Sequence, residues 1–345
     1  MSSWLERPEP DARCAVIAEI AQAHDGSLGT AHAMIDAAAE AGVDAVKFQT
    51  HIAEAESTPG EPWRVRFSPQ DETRFDYWKR MEFTAEQWAG LKRHAEERGL
   101  AFLSSPFSME ALELLRGIGG VAAWKIASGE ITNLPMIARM CGDGVPLLLS
   151  TGMSGMEEIA RTVDFIRERG APVCVMQCTS SYPTPPERVG MNLLREFAER
   201  FGTATGLSDH SATVFPGIVA AWEGAKVIEV HLTLSRYAFG PDVVASLTVE
   251  EMAELVRGVR FAETMRRNPV RKSETGEEMR DMRAIFMKSL VLLRPMKAGE
   301  VVTGEVLGAR KPGTGIPVSE HDRIVGRRLA RDVPALRPLL EEDFA

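Results

Sequence analysis

A chain of 345 residues, 44% hydrophobic and 26% charged, is long enough to bury one large core and carry a smaller domain beside it. Its formal charge of -9, with no basic stripe, excludes nucleic acid as a partner. No apolar run approaches the roughly 20 residues that cross a bilayer. The N-terminus shows no basic region followed by an apolar stretch, and the four cysteines show no CxxC spacing, so the expected setting is the reducing cytoplasm.

Short β-rich apolar runs at 14–20, 45–49, 101–104, 123–127, 146–150, 173–178, 205–207 and 226–231 alternate with amphipathic stretches at 28–41, 85–98, 156–169, 193–201, 216–223 and 250–266. Eight strands with intervening helices predict an α/β fold, a (β/α)8 TIM barrel, because a doubly wound open sheet usually stops near five or six strands. The barrel domain takes in residues 1–267. A charged stretch holding Pro269 and Gly276 reads as a linker, 268–283, and 284–345 reads as a small domain of short strands and turns. A segment of roughly 60 residues is marginal alone and is expected to dock on something larger.

The polar residues fall repeatedly at the C-terminal ends of the strands. Strand one closes with Glu19, strand two carries Lys47 and Gln49, strand three runs into Ser105, and strand four offers Lys125 and then Ser128. Strand five ends at Ser150, strand six leads to Ser180 and Tyr182, strand seven carries Ser208 and His210, and strand eight ends with Glu229 and His231. In a barrel all these ends share one face. Histidines on neighbouring strand ends reach a common divalent metal ion. Lysines inside buried strands are costly unless they meet an anion, so lysines beside hydroxyls point to a small dianionic or trianionic ligand. Taken singly, Lys47 reads as a snorkelling side chain and His231 as a core histidine. It is the shared strand end that gives them chemical meaning.

The stretches IAEIAQAHDG, VKFQT, FLSSPF, KIASGEI, LSTGM, QCTSSYPTP, GLSDHS, EVHLTLSR and FGPD resemble, in order, the motifs of the N-acetylneuraminate (sialic acid) synthase family and its legionaminic and pseudaminic acid branches. The tail from Met287 resembles that family's antifreeze-like (SAF) domain. The resemblance implies condensation of phosphoenolpyruvate with an open-chain amino-sugar aldehyde, giving a nine-carbon 2-keto acid and phosphate. It also implies that Lys47, Ser105, Lys125, Ser128, Ser150 and Ser208 hold phosphoenolpyruvate, and that Gln49, Ser180, Tyr182 and Asp242 face the sugar. His210 and His231 would ligate Mn2+ or Mg2+, and Glu19 and Glu229 would position water or move its proton. A domain-swapped homodimer is implied, in which Arg310 or Lys311 reaches the partner's sugar. The chain departs from the family's pattern at Val230, Val243 and Val244, where the family carries lysine, histidine and lysine, and the stretch 60–80 leaves the sugar end of the barrel without an evident lid. Two other readings stand beside this one. The first is a synthase acting on a phosphorylated aldose bound by Arg64, Arg66 and Arg74. The second is a catalytically inactive sugar-binding barrel.

Overall fold

The computed structural model describes residues 13–345. The first twelve residues, expected to belong to the barrel domain and to carry no targeting segment, lie outside the described residues. The chain forms two compact units, one ending at Asn268 and the other spanning Pro269–Ala345.

In the first unit eight parallel strands close into a barrel in chain order. They are β1 (Ala15–Ala21), β2 (Ala45–Thr50), β3 (Ala101–Pro106), β4 (Trp124–Ile126), β5 (Leu147–Ser150), β6 (Val173–Cys178), β7 (Ala204–Asp209) and β8 (Val227–His231). Successive side chains on a strand point to opposite faces. One set, including Val16, Val46, Phe102, Leu149 and Val230, packs in the large cluster shared with the surrounding helices. The other set, including Ile17, Ala45, Leu103, Ala123, Leu148 and Val227, forms a separate apolar cluster inside the barrel. Two residues further along each of those strands, roughly 6.6 Å higher, stand Glu19, Lys47, Ser105, Lys125, Ser150 and Glu229. An apolar floor thus carries a polar layer at the C-terminal end. Val230 is 1% exposed in the outer cluster, where a lysine would need a partner for its charge.

Several helices begin where a side chain satisfies one of their first free N–H groups. Ser27 accepts from Thr30 N at the start of Leu28–Ala41, and capping boxes at Thr84 and Thr248 open Ala85–Glu97 and Val249–Arg267. Beside the single turn Ala53–Glu56, three longer helices stand where the periodicity predicts none: Arg74–Met81 opened by a Thr73–Asp76 capping box, Met109–Gly117 capped by Ser108, and Leu134–Cys141 capped by Asn133 with proline in its first turn. Among the described residues no helix is long and apolar enough to cross a membrane. All four cysteines are free thiols.

In the second unit the stretch expected to be a linker contains two short helices, Lys272–Glu278 and Arg280–Phe286, neither with a buried residue. Antiparallel strands β9 (Ser289–Leu292) and β10 (Leu307–Arg310) follow. A compact core including Leu290, Leu292, Met296, Val302, Ile324 and Leu339 closes this unit.

Candidate active site

Two ammonium groups and two carboxylates meet at the C-terminal end of the barrel. Lys47 Nζ lies 2.7 Å from Glu19 Oε2 and 3.8 Å from Glu229 Oε1, while Lys125 Nζ lies 2.6 Å from Glu229 Oε1. All four side chains are buried, Lys47 and Lys125 being only 2% exposed. Burial at this depth is tolerable because the set is neutral and hydrogen-bonded. Lys47 donates to Ser105 Oγ at 3.1 Å, Ser208 donates to Glu229 Oε1 at 3.0 Å, and the Gln49 amide donates to Glu19 Oε1 at 2.9 Å. Two buried acceptors, Ser150 Oγ and Glu229 Oε2, have no hydrogen-bond partner. Such groups cost about 1–3 kcal/mol each when left unpaired, and an incoming polar ligand can satisfy them. Ser128 Oγ accepts from Gly152 N at 3.0 Å. A Cβ at Gly152 would lie 2.5 Å from Ser180 Oγ and 2.9 Å from Ser128 Oγ, so this approach of backbone to hydroxyls requires glycine.

The two carboxylates differ electrostatically. Burial pushes both upward, but Lys125 and Lys47 together hold Glu229 down at about 2. For Glu19 burial outweighs the attraction of Lys47, and the group stands raised. Burial lowers Lys47, but Glu19 and Glu229 more than offset it, so its ammonium stays charged.

His210 and His231 lie beside this set with ring centroids 5.4 Å apart. Tyr182 stacks on His210 at 4.1 Å and meets His231 edge-on at 6.0 Å. His210 Nδ1 is 2.8 Å from the Thr179 carbonyl, which only accepts, so Nδ1 carries the hydrogen and Nε2 keeps its lone pair. Burial, reinforced by His231, pushes the His210 pKa down to about 4, leaving a neutral imidazole at physiological pH. A neutral ring held through its other nitrogen is what a metal ligand requires; His210 meets that requirement, and His231 stands beside it. Among the described residues no group of three or more His, Cys, Asp or Glu side chains forms a metal cluster, so a metal here would draw its remaining ligands from substrate or water.

A cavity of about 320 Å3 adjoins the charged set and shares Gln49 with it. Gln22, His51, Trp78, Phe107, Tyr182 and Asp242 are among its lining residues. It has a cover that the sequence reading does not anticipate, since Trp63, Arg64, Val65 and Phe67 also line it. The Arg64 guanidinium sits 4.3 Å over the Tyr182 ring and 2.6 Å from Asp242 Oδ1. Ser180 is exposed at its loop. Arg310 and Lys311 belong to the second unit, where Arg310 Nη1 donates to the Ala309 carbonyl at 3.0 Å and Lys311 Nζ lies 5.1 Å from the Phe286 ring centre. Sequence reading passes over Gln22, His51, Glu56, Trp78 and Phe107, which come together only through tertiary packing.

A family model described as NeuB family matches residues 34–271, and a second, described as SAF domain, matches residues 288–345. The chain belongs to the NeuB family. It is an enzyme of that family, a synthase. It is 33% identical to the N,N'-diacetyllegionaminic acid synthase of Legionella pneumophila over 95% of this chain and 94% of that protein. It is 31% identical to the N-acetylneuraminate-9-phosphate synthase of Homo sapiens over 98% of this chain and 94% of that protein. The crystal structure of an N-acetylneuraminic acid synthetase from Leptospira borgpetersenii, in complex with citrate, superposes with a TM-score of 0.68 at 28% identity, covering 78% of this chain and 92% of the other.

The buried set makes a stability prediction. Lys125→Met takes the nearest cation from Glu229 and is expected to lower the unfolding free energy by about 3 kcal/mol. Adding Glu229→Gln, whose amide needs no counter-charge, should recover at least half of that loss in urea unfolding. Strictly additive losses in the double variant would show that the two groups are not coupled.

Proposed function

We propose that this NeuB-family enzyme condenses phosphoenolpyruvate with the open-chain aldehyde of an amino sugar resembling N-acetylmannosamine, giving a nine-carbon 2-keto sugar acid and phosphate. The observation that carries this reading is the convergence of Lys47 and Lys125, both buried, on one strand-end layer with Ser105, Ser150 and Ser208. Ammonium and hydroxyl groups suit the phosphate and carboxylate oxygens of phosphoenolpyruvate, and Ser128, just beyond β4, adds a further hydroxyl.

In the reaction the terminal methylene carbon of phosphoenolpyruvate forms a bond to the aldehyde carbon, and the aldehyde oxygen takes a proton. Water then adds to the electron-poor carbon that bears the phosphate, losing a proton, and the hydroxyl so formed gives its remaining proton to the departing phosphate as the carbon–oxygen bond breaks, leaving the 2-keto group. Glu19, raised by burial, is matched to receive the proton from water. Glu229 stays ionised and keeps Lys125 and Lys47 oriented. His210 and His231 would hold a divalent ion, which when bound supplies Lewis-acid polarisation of the aldehyde oxygen. Gln49, Tyr182 and Asp242 would orient the sugar in the cavity.

The acceptor cavity favours an unphosphorylated sugar. It carries Glu56, Glu61, Glu130 and Asp242 against Arg64 and Arg74. Both arginines are already matched, Arg64 to Asp242 at 2.6 Å and Arg74 to Glu61 at 3.2 Å. A sugar phosphate would have to displace a carboxylate from each arginine that it used, which disfavours the phosphorylated-aldose reading. We further propose that the chain works in the cytoplasm as a homodimer, in which Arg310 or Lys311 of one copy completes the acceptor end of the other's barrel. Arg310 offers the bidentate fork and Lys311 a point charge.

Phosphate release from phosphoenolpyruvate, followed over a panel of aldoses with and without exhaustive chelation, tests the reaction. Release is expected only with an unphosphorylated hexosamine and only with a divalent ion present. Turnover that survives chelation, or that needs a sugar phosphate, would contradict this assignment. For the dimer, full-length Glu19→Gln and full-length Arg310→Ala/Lys311→Ala should each be inactive alone and regain activity when mixed, because the heterodimer pairs an intact barrel with an intact tail. A fully active monomer would refute it.

A further inference from the structure

We propose that His51 is a positioning residue, fixing through Gln22 the orientation of the Gln49 amide at the junction of the acceptor cavity and Glu19; the proposal rests on the synthase reading above. His51 directly follows β2, and its ring is clamped between Trp78, at 4.1 Å and 17° between planes, and Phe107, at 4.6 Å and 14°. Glu56 Oε1 lies 2.6 Å from His51 Nδ1, and His51 Nε2 lies 2.5 Å from Gln22 Nε2. The same Gln22 nitrogen is 2.5 Å from Gln49 Oε1, and Gln49 Nε2 donates to Glu19 Oε1 at 2.9 Å.

Each link leaves one choice for the next. An ionised carboxylate only accepts, so Glu56 requires the proton on His51 Nδ1, and Nε2 becomes the acceptor. An accepting Nε2 demands an N–H from Gln22, whose two hydrogens then serve His51 and Gln49 Oε1. With its oxygen so engaged, Gln49 presents its NH2 to Glu19. Had the imidazole carried its hydrogen on Nε2, Gln22 would turn its oxygen inward and lose its short bond to Gln49 Oε1, leaving only the 3.4 Å contact of His51 Nε2 and the bond to Glu19 to hold the Gln49 amide.

This is more arrangement than a structural histidine needs. The stack on Trp78 and Phe107 would hold either tautomer, and a satisfied core residue requires no selected one. Gln22, Gln49, His51 and Glu56 all line the acceptor cavity, and Glu56 Oε2 is buried with no hydrogen-bond partner, an acceptor left for a sugar hydroxyl. The hydrogen-bond partners of His51 are Glu56, Gln22 and, at 3.4 Å, Gln49. Its action on the reaction therefore runs through Gln49, whose NH2 both meets Glu19 and borders the space where the aldehyde would lie.

Three variants of the full chain test this: His51→Phe, which keeps the ring stack and removes both nitrogens; His51→Gln, whose side-chain oxygen reaches the place of Nε2; and Glu56→Leu, which removes the carboxylate. In His51→Phe the KM for the sugar is expected to rise about tenfold, with the KM for phosphoenolpyruvate within about twofold of wild type and the thermal midpoint lowered, because the buried Glu56 carboxylate loses its partner. His51→Gln should recover at least half of the sugar KM effect. Nitrogen-15 NMR of histidine-labelled protein should show His51 protonated at Nδ1 and lose that preference in Glu56→Leu. An unchanged sugar KM in folded His51→Phe, equal rises in both KM values, or His51 protonated at Nε2 in wild type would overturn the proposal. Absence of turnover with every aldose in wild type would instead defeat the synthase reading, while the NMR tautomer and the shift of the Gln49 side-chain amide in His51→Phe would still decide the relay.

Discussion

The structure depends on burying two lysines and two glutamates together at one end of a closed barrel. A lone charge at that depth costs several kcal/mol, yet Lys47, Lys125, Glu19 and Glu229 are all almost wholly excluded from solvent. Their tolerance follows from neutrality of the set and from Ser105, Ser208 and Gln49, which spend hydrogen bonds on it. A parallel barrel is suited to this because its strands deliver side chains inward at matched heights. Glu19 pairs in register with Lys47 and with His231, and Ser208 with Glu229. The apolar layer beneath, with Ile17, Leu103, Leu148 and Val227, supplies the dry floor that makes those charges interact strongly.

The same pairing readies the site for a ligand. Lysines that hold carboxylates from the protein can exchange them for substrate oxygens without ever being left bare, and the unpartnered Ser150 hydroxyl and Glu229 Oε2 await an additional polar group. The division between Glu229, held ionised by two lysines, and Glu19, raised by burial, separates a fixed anion from a group able to carry a proton. Next to them the cavity changes character: its arginines are matched by carboxylates, and aromatic rings form much of its wall. One end of the pocket therefore offers ammonium groups and an unpartnered hydroxyl, and the other offers ring faces and charges already matched.

The barrel and its polar layer were legible in the sequence because strand alternation is written there directly. Residues at spacing two, such as Ile17 and Glu19 or Ala45 and Lys47, must share a face, and six strands repeating that pattern leave few alternatives. The Val230 departure has the same explanation in reverse, since it falls on the face turned to the helices. Helices Arg74–Met81, Met109–Gly117 and Leu134–Cys141 escaped although they are comparable in length to the stretches read at 193–201 and 216–223 and although the Thr73–Asp76 and Asn133–Pro135 pairs offered capping signals. The cover over the acceptor cavity and the Glu56–His51–Gln22 series escaped for a different reason. Their meaning lies in stacking and in hydrogen-bond direction between segments far apart in sequence, such as Arg64 on Tyr182 or His51 between Trp78 and Phe107.

Calorimetric titration of phosphoenolpyruvate into wild type, Lys47→Met and Lys125→Met most directly tests whether the buried lysines form an anion site. Methionine preserves most of the stem's bulk and removes the charge. The account predicts that each folded variant loses affinity by roughly a hundredfold or more, the loss of a charge-assisted bond pair in a dry site. Unchanged affinity in both variants, with their folds verified by circular dichroism, would contradict it.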